Sequence, residues 1–130
     1  MSFDWDDYLT IAKDFETKSN GLPQSNMKEA MQRVALSRAY YSMYHLAVEY
    51  AKTHFGYIPR RNGSNQFHAD VRIEYQKQSG NADHQEIKKI LIRMHKARID
   101  SDYTPTSLGN AQALLRSIIL DADKVKTILR

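Results

Sequence analysis

The 130-residue sequence predicts an all-α fold, an antiparallel up-and-down bundle of about five helices forming a single domain over 1–130. Three observations predict it. Apolar residues recur at three- and four-residue spacing in segment after segment, the period of one helix face. Helix-capping and helix-stopping residues divide the chain into pieces of helical length. The connections between those pieces are short, and short connections make successive helices antiparallel neighbours.

Helix one covers about 4–19 and buries Trp5, Tyr8, Leu9, Ala12 and Phe15; Asn20-Gly21 supplies a left-handed stop and Pro23 follows. Helix two opens at Ser25 or Asn26, where Asn26 and Glu29 have capping-box spacing, and runs to about His54 before Gly56 and Pro59. Its roughly 29 residues span about 43 Å at 1.5 Å per residue, which makes it the central spine. A polar loop from Tyr57 to Gln66 carries Arg60, Arg61, Asn62, Gly63, Ser64 and Asn65. Helix three, about 67–78, has Phe67, Val71 and Tyr75 as its apolar stripe, and Gly80-Asn81 breaks it. Asp83 and Glu86 form the next capping box, and helix four runs to about Asp100 with Ile87, Ile90, Leu91, Met94 and then Arg98 on its stripe. Asp102-Tyr103-Thr104-Pro105 turns the chain into helix five, about 107–129, with Leu108, Ala111, Leu114, Leu115, Ile118, Ile119 and Val125.

Composition narrows the function classes. Hydrophobic content of 42% and charged content of 26% are ordinary for a soluble globule. The net charge of +4 is compatible with an anionic partner. It is unevenly spread: residues 1–20 hold five acids and two lysines, whereas residues 72–98 hold seven Lys/Arg and three acids. With no cysteine, disulfides and thiolate metal sites are excluded. The acidic start Met-Ser-Phe-Asp-Trp-Asp-Asp does not read as a signal peptide, and no stretch approaches the roughly 20 apolar residues of a membrane span. A cytoplasmic protein with no membrane association is the expectation.

Helix two is apolar almost all round, and Arg38, Ser42, His45 and Glu49 interrupt it at spacings of 4, 3 and 4, one line along the helix. Such a line marks either an internal ion network or the wall of a polar site, because an unpaired buried charge costs several kcal/mol. Arg98 adds a second inward arginine. Arg38 and Arg98 are read either as an arginine–carboxylate network, with Glu49, Asp100 and Asp102 as partners, or as a pocket whose guanidinium forks suit phosphate. His45, four residues before Glu49, is either an imidazole oriented for acid–base work or a hydrogen-bonded core residue. His68, near the start of helix three, is held neutral by the helix dipole and follows Arg61-Asn62, a basic loop that is otherwise simply solvated. No metal-ligand spacing, glycine-rich phosphate loop or nucleophile elbow occurs, so no cofactor is expected.

The stretch Ser37-Arg38-Ala39-Tyr40-Tyr41-Ser42-Met43-Tyr44-His45, followed by Arg98-Ile99-Asp100-Ser101-Asp102-Tyr103, resembles the HEPN superfamily over roughly residues 5–128. More narrowly it is similar to small stand-alone members with an Arg-Ala-Tyr-Tyr helix and an Arg-x-x-x-Asp-Tyr turn; His68 matches a histidine that opens the intervening helix in that branch. The resemblance implies a helical homodimer with an Arg-rich cleft for RNA or a nucleotide phosphate. It also implies a metal-independent ribonuclease of a toxin–antitoxin or defence module, beside a cognate antitoxin or nucleotidyltransferase. In the implied chemistry a 2′-hydroxyl attacks the neighbouring phosphodiester, histidine moves the proton and arginine stabilises the phosphorane. Where active members carry histidine after the arginine, this chain has Asp102. His68 or His45 is therefore the expected proton carrier, and Arg61, Arg98 or Arg38 the charge stabiliser. Arg38, Tyr41, Tyr103 and Asn62 are the expected substrate contacts. The alternative is a non-catalytic interaction module, with Arg98–Asp102 and Arg38–Glu49 as structural salt bridges.

Overall fold

A computed structural model describes residues 3–60 and 67–130, which form five α-helices and, among the described residues, no strand. They are α1 (Asp6–Asn20), α2 (Asn26–Phe55), α3 (Phe67–Gln76), α4 (Ala82–Tyr103) and α5 (Ala111–Leu129). The 30 residues of α2 make it the spine, touched by all four other helices.

Side-chain contacts give the sense of each helix. Trp5 stacks on His45 and Arg38 lies over Tyr8, so α1 and α2 are antiparallel. Tyr50 meets His84 at one end of α2 while Arg33 reaches the Ser101 carbonyl at the other, so α2 and α4 are antiparallel. Lys124–Glu86 and Arg93–Asp121 reverse α5 against α4, and Lys13–Asp123 and Arg116–Glu16 reverse α1 against α5. These four helices alternate in direction. The fifth departs from the up-and-down expectation. Tyr40 bonds His68 and the Tyr75 hydroxyl donates to the Ala47 carbonyl at 2.7 Å, so α3 runs in the same sense as α2. The connection over residues 56–66 permits this. Its eleven residues reach about 36 Å when extended, more than the roughly 22 Å of helix between Phe55 and Tyr40.

One contiguous core joins all five helices, with Leu9, Met43, Tyr75, Ile90, Met94 and Ile119 fully or almost fully buried. Ala35, Ala39, Ala47 and Ala51 of α2 are each 0% exposed. Their small side chains let neighbouring helices approach the spine closely, which is how one helix packs against four others.

Of the two expected starts of α2, Ser25 is the cap, accepting from the Lys28 amide at 3.2 Å. Several other boundaries differ from expectation. Asn81 rather than Asp83 caps α4, accepting from the His84 amide at 3.0 Å. Gly21 closes α1 with φ −83°, not in the left-handed region; the left-handed glycines are Gly56 (φ 69°), which caps α2, and Gly109 (φ 75°), in the turn before α5. Asp102 and Tyr103 belong to α4, not to a turn: the Arg98–Asp102 pair and a Ser101 Oγ bond to the Ala97 carbonyl lie along this last stretch. Helix five starts at Ala111, not 107, because Ser107–Asn110 is spent on a turn held by Glu29. That carboxylate accepts from Ser107 Oγ (2.7 Å) and the Leu108 amide (3.3 Å). Arg33 completes the clamp, donating to the carbonyls of Ser101 (3.0 Å), Thr104 (2.7 Å) and Thr106 (2.6 Å) and pairing with Glu29. The hydrogen bond from Ser107, followed by the bond and charge of Arg33, holds the Glu29 carboxyl below its ordinary range against the opposing effect of burial.

Candidate functional site: a cationic histidine cluster between α2, α3 and α4

The parallel placement of α3 brings its first turns against the tyrosine-rich middle of α2. There Tyr40, only 1% exposed, bonds His68 Nδ1 at 2.5 Å. His68 stacks on His95 of α4 with ring centroids 4.6 Å apart. One turn on from His68, Arg72 donates from Nη1 to His95 Nδ1 at 3.3 Å. Arg98 lies one turn beyond Met94 on the buried stripe of α4, so its guanidinium is carried to the mouth of the same cluster. It sits over the Tyr41 ring at 5.2 Å and the Tyr103 ring at 5.6 Å.

The electrostatics are those of cations and aromatic rings crowded in a half-buried cluster. Burial first, then the charges of His95, Arg98, Arg72 and His45, push His68 down to about 4. Burial, followed by Arg72 and Arg98, likewise lowers His95. Both rings are therefore neutral near pH 7. Burial raises the Tyr40 phenol far above its ordinary value, and the Tyr44 phenol is pushed up to about 12 by burial with Tyr57, Tyr41 and Asp70 nearby. Neither tyrosine ionises, so both serve as hydrogen-bonding and stacking groups. Burial and the neighbouring cationic groups act on His68 in the same direction as the dipole at the start of α3.

Asp102 approaches Arg98 Nε at 2.9 Å, yet the N–H does not aim at the carboxylate, so Nε is buried without a hydrogen bond. The contact is an ion pair with an unused donor. Tyr103 is 69% exposed and caps the open side of the guanidinium.

Of the residues expected from sequence, the structure brings together His68, Arg98, Asp102, Tyr41 and Tyr103. His45 lies beside this group, 6.5 Å from the Tyr41 ring, but its own ring stacks on Trp5 at 3.4 Å. Burial lowers its affinity for a proton, with Glu49 opposing. Arg38 is turned to α1, over Tyr8 at 5.1 Å. No Arg38–Glu49 bridge forms: eleven residues of helix separate them by about 16 Å, and Glu49 pairs with Lys52 at 3.4 Å. The polar line of α2 is therefore no ion network. Its fully buried Ser42 has a hydroxyl without a hydrogen-bond partner, and the aromatic N-terminal edge of α1 covers Arg38 and His45. Asp100 pairs with Lys96 at 2.9 Å, away from the arginines. Arg61 and Asn62 lie outside the described residues.

Arg72, His95 and Tyr40 were missed as site residues by reasoning from sequence. Arg72 follows His68 by four residues, one helical turn, a signal that was present. His95 gave none, because its meeting with His68 depends on how α3 lies on α4. A separate cleft of about 480 Å³ near the start of α2 is lined by Asn26, Glu29, Arg33, Thr104 and Ser107. It is the recess of the loop clamp, whose charged groups are already satisfied. Among the described residues no group of three or more His, Cys, Asp or Glu is arranged to hold a metal.

Comparison with protein-family models, with curated proteins and with solved structures found no match to the chain.

Proposed function

We propose that this protein is a HEPN-like homodimeric ribonuclease that binds RNA phosphate at the Arg72–Arg98–His68–His95 cluster and cleaves it without a metal. The observation that carries the reading is the convergence of two guanidinium and two imidazole groups on one half-buried spot walled by Tyr40, Tyr41 and Tyr44. Guanidinium groups match phosphate oxygens, and tyrosine faces stack on unpaired bases.

In this reading His68 accepts the proton of a ribose 2′-hydroxyl as the 2′-oxygen bonds to phosphorus. The bond to the 5′-oxygen breaks and that oxygen leaves with the proton returned from the imidazolium. Arg98 and Arg72 neutralise the charge on the phosphorane oxygens. Asp102 holds Arg98 and takes no proton. The resemblance supplies the homodimer, the HEPN-like arrangement of the helices and a cognate antitoxin or nucleotidyltransferase as partner.

The test is fluorescence-anisotropy titration of a 2′-O-methyl RNA oligomer, which binds but cannot be cleaved. Wild type binds with a steep salt dependence, and Arg72→Ala and Arg98→Ala each flatten the slope. Unchanged binding in both variants sinks the proposal.

The Arg98–Asp102 pair favours a second reading, a non-catalytic interaction module in which that pair only fixes α4. It predicts that Asp102→Asn lowers stability and that the protein has no affinity for RNA.

A further inference from the structure

His95 is the hinge of the cluster. An arginine nitrogen can only donate, so the 3.3 Å contact from Arg72 Nη1 requires a bare lone pair on His95 Nδ1 and puts the ring proton on Nε2. A second proton on that ring would face the Arg72 N–H across the same gap, donor against donor. The bond would break, and Arg72 and the new imidazolium would repel each other. His68, stacked at 4.6 Å, would then meet an imidazolium instead of a neutral ring.

Resting on the reading above, we propose that oxyanion capture at this cluster is gated by a proton. In the neutral state Arg72 is tied to His95; protonation of His95 frees Arg72, and the two cations together grip a phosphate oxygen of RNA. The charged and titratable groups facing His95 are Tyr40 from α2, His68 and Arg72 from α3 and Arg98 from α4 itself. All except the tyrosine are cationic or become so on protonation, and the carboxylate of Asp102 is engaged with Arg98, so without an added anion the proton is repelled. A bound phosphate reverses that balance and proton and anion enter together. The bound anion also bears on a chemical difficulty: a His68 held near 4 is a weak base at neutral pH, and a phosphate in the cluster acts to raise it, against the lowering by a protonated His95.

NMR titration of the His95 and His68 ring protons tests this, without ligand, with sodium sulfate, whose charge is constant over the range, and with a 2′-O-methyl RNA trinucleotide. The expected result is that both ligands raise the His95 midpoint by about one pH unit, equivalent to tenfold tighter anion binding by the protonated form. The affinity for sulfate should increase by about that factor as His95 protonates, and His95→Gln should abolish most of that increase, its fold checked by amide dispersion. A midpoint that neither ligand moves overturns the gate. A midpoint moved by sulfate alone supports the gate for a free oxyanion and overturns the RNA reading. RNA binding with an unmoved midpoint overturns the gate and leaves the RNA reading standing.

Discussion

Replacing Arg33 by alanine isolates the device that sets the end of α4 and hence the position of Arg98 and Asp102. The guanidinium donates to three backbone carbonyls and pairs with Glu29. Arg33 and Glu29 side chains are only 18% and 16% exposed, so the contacts are largely desolvated. The Thr106 carbonyl is exposed and water can replace the arginine there. The carbonyls of Ser101 and Thr104 are part-buried, and each charge-assisted bond lost costs about 1.5 kcal/mol, for a total near 3 kcal/mol. Glu29 keeps Ser107 and Leu108, which limits any further loss. Urea unfolding should therefore show Arg33→Ala destabilised by about 2–3 kcal/mol with an unchanged slope, and Arg33→Lys recovering less than half because an ammonium cannot span three carbonyls. Hydrogen exchange at the Leu108 amide should accelerate beyond the global change. A loss under about 0.5 kcal/mol would show that the clamp is incidental and refute the reasoning.

Other consequences are as direct. Met94, 0% exposed at the centre of the α4 stripe, should cost about 2–5 kcal/mol on truncation to alanine, read by the same unfolding assay. Tyr40→Phe removes the hydroxyl that meets His68 and should cost about 1–2 kcal/mol while shifting the His68 ring resonances. Because the folded His68 value, near 4, lies below the 6.5 of an unperturbed histidine, the unfolded chain takes up the proton first as pH falls. His68 therefore contributes a loss of stability on acidification from about pH 6.5 to about 4, and His68→Asn should flatten that part of the pH–stability curve. For Glu29 the shift has the same sign but a different cause, the hydrogen bond from Ser107 rather than burial: a depressed carboxyl stabilises above its unfolded value and the benefit fades as pH drops through the folded one. Glu29→Gln should weaken the acid limb of the same curve.

The helical class was legible because five apolar stripes and their caps are local signals, and the inward arginine of α4 could be read from its place after Ile87, Ile90, Leu91 and Met94. Direction was less legible. Alternation holds for four helices, but α3 lies parallel to α2 because the longest connection can run back along the spine, and length alone does not say whether it will. The start of α5 was misjudged because Ser107–Asn110 bonds to Glu29, which lies 78 residues earlier in the case of Ser107, a partner no local pattern discloses. At the candidate site, His68 and Arg98 could be singled out as residues of unusual placement. Their companions Arg72 and His95 could not, since the cluster exists only once α3 is laid between α2 and α4. Arg38 misled for the complementary reason: helical spacing put it in line with His45, but α1 supplies Tyr8 and Trp5 to cover that line.

The most direct test is incubation of RNA and matched DNA in excess EDTA with purified wild type, Arg98→Ala and His68→Ala. The proposal predicts that wild type cuts the RNA alone, leaving 2′,3′-cyclic phosphate ends, and that both folded variants lose at least about a hundredfold in rate. Intact RNA with folded, dimeric wild type, or cleavage undiminished in both variants, would contradict the assignment of this cluster as a ribonuclease centre.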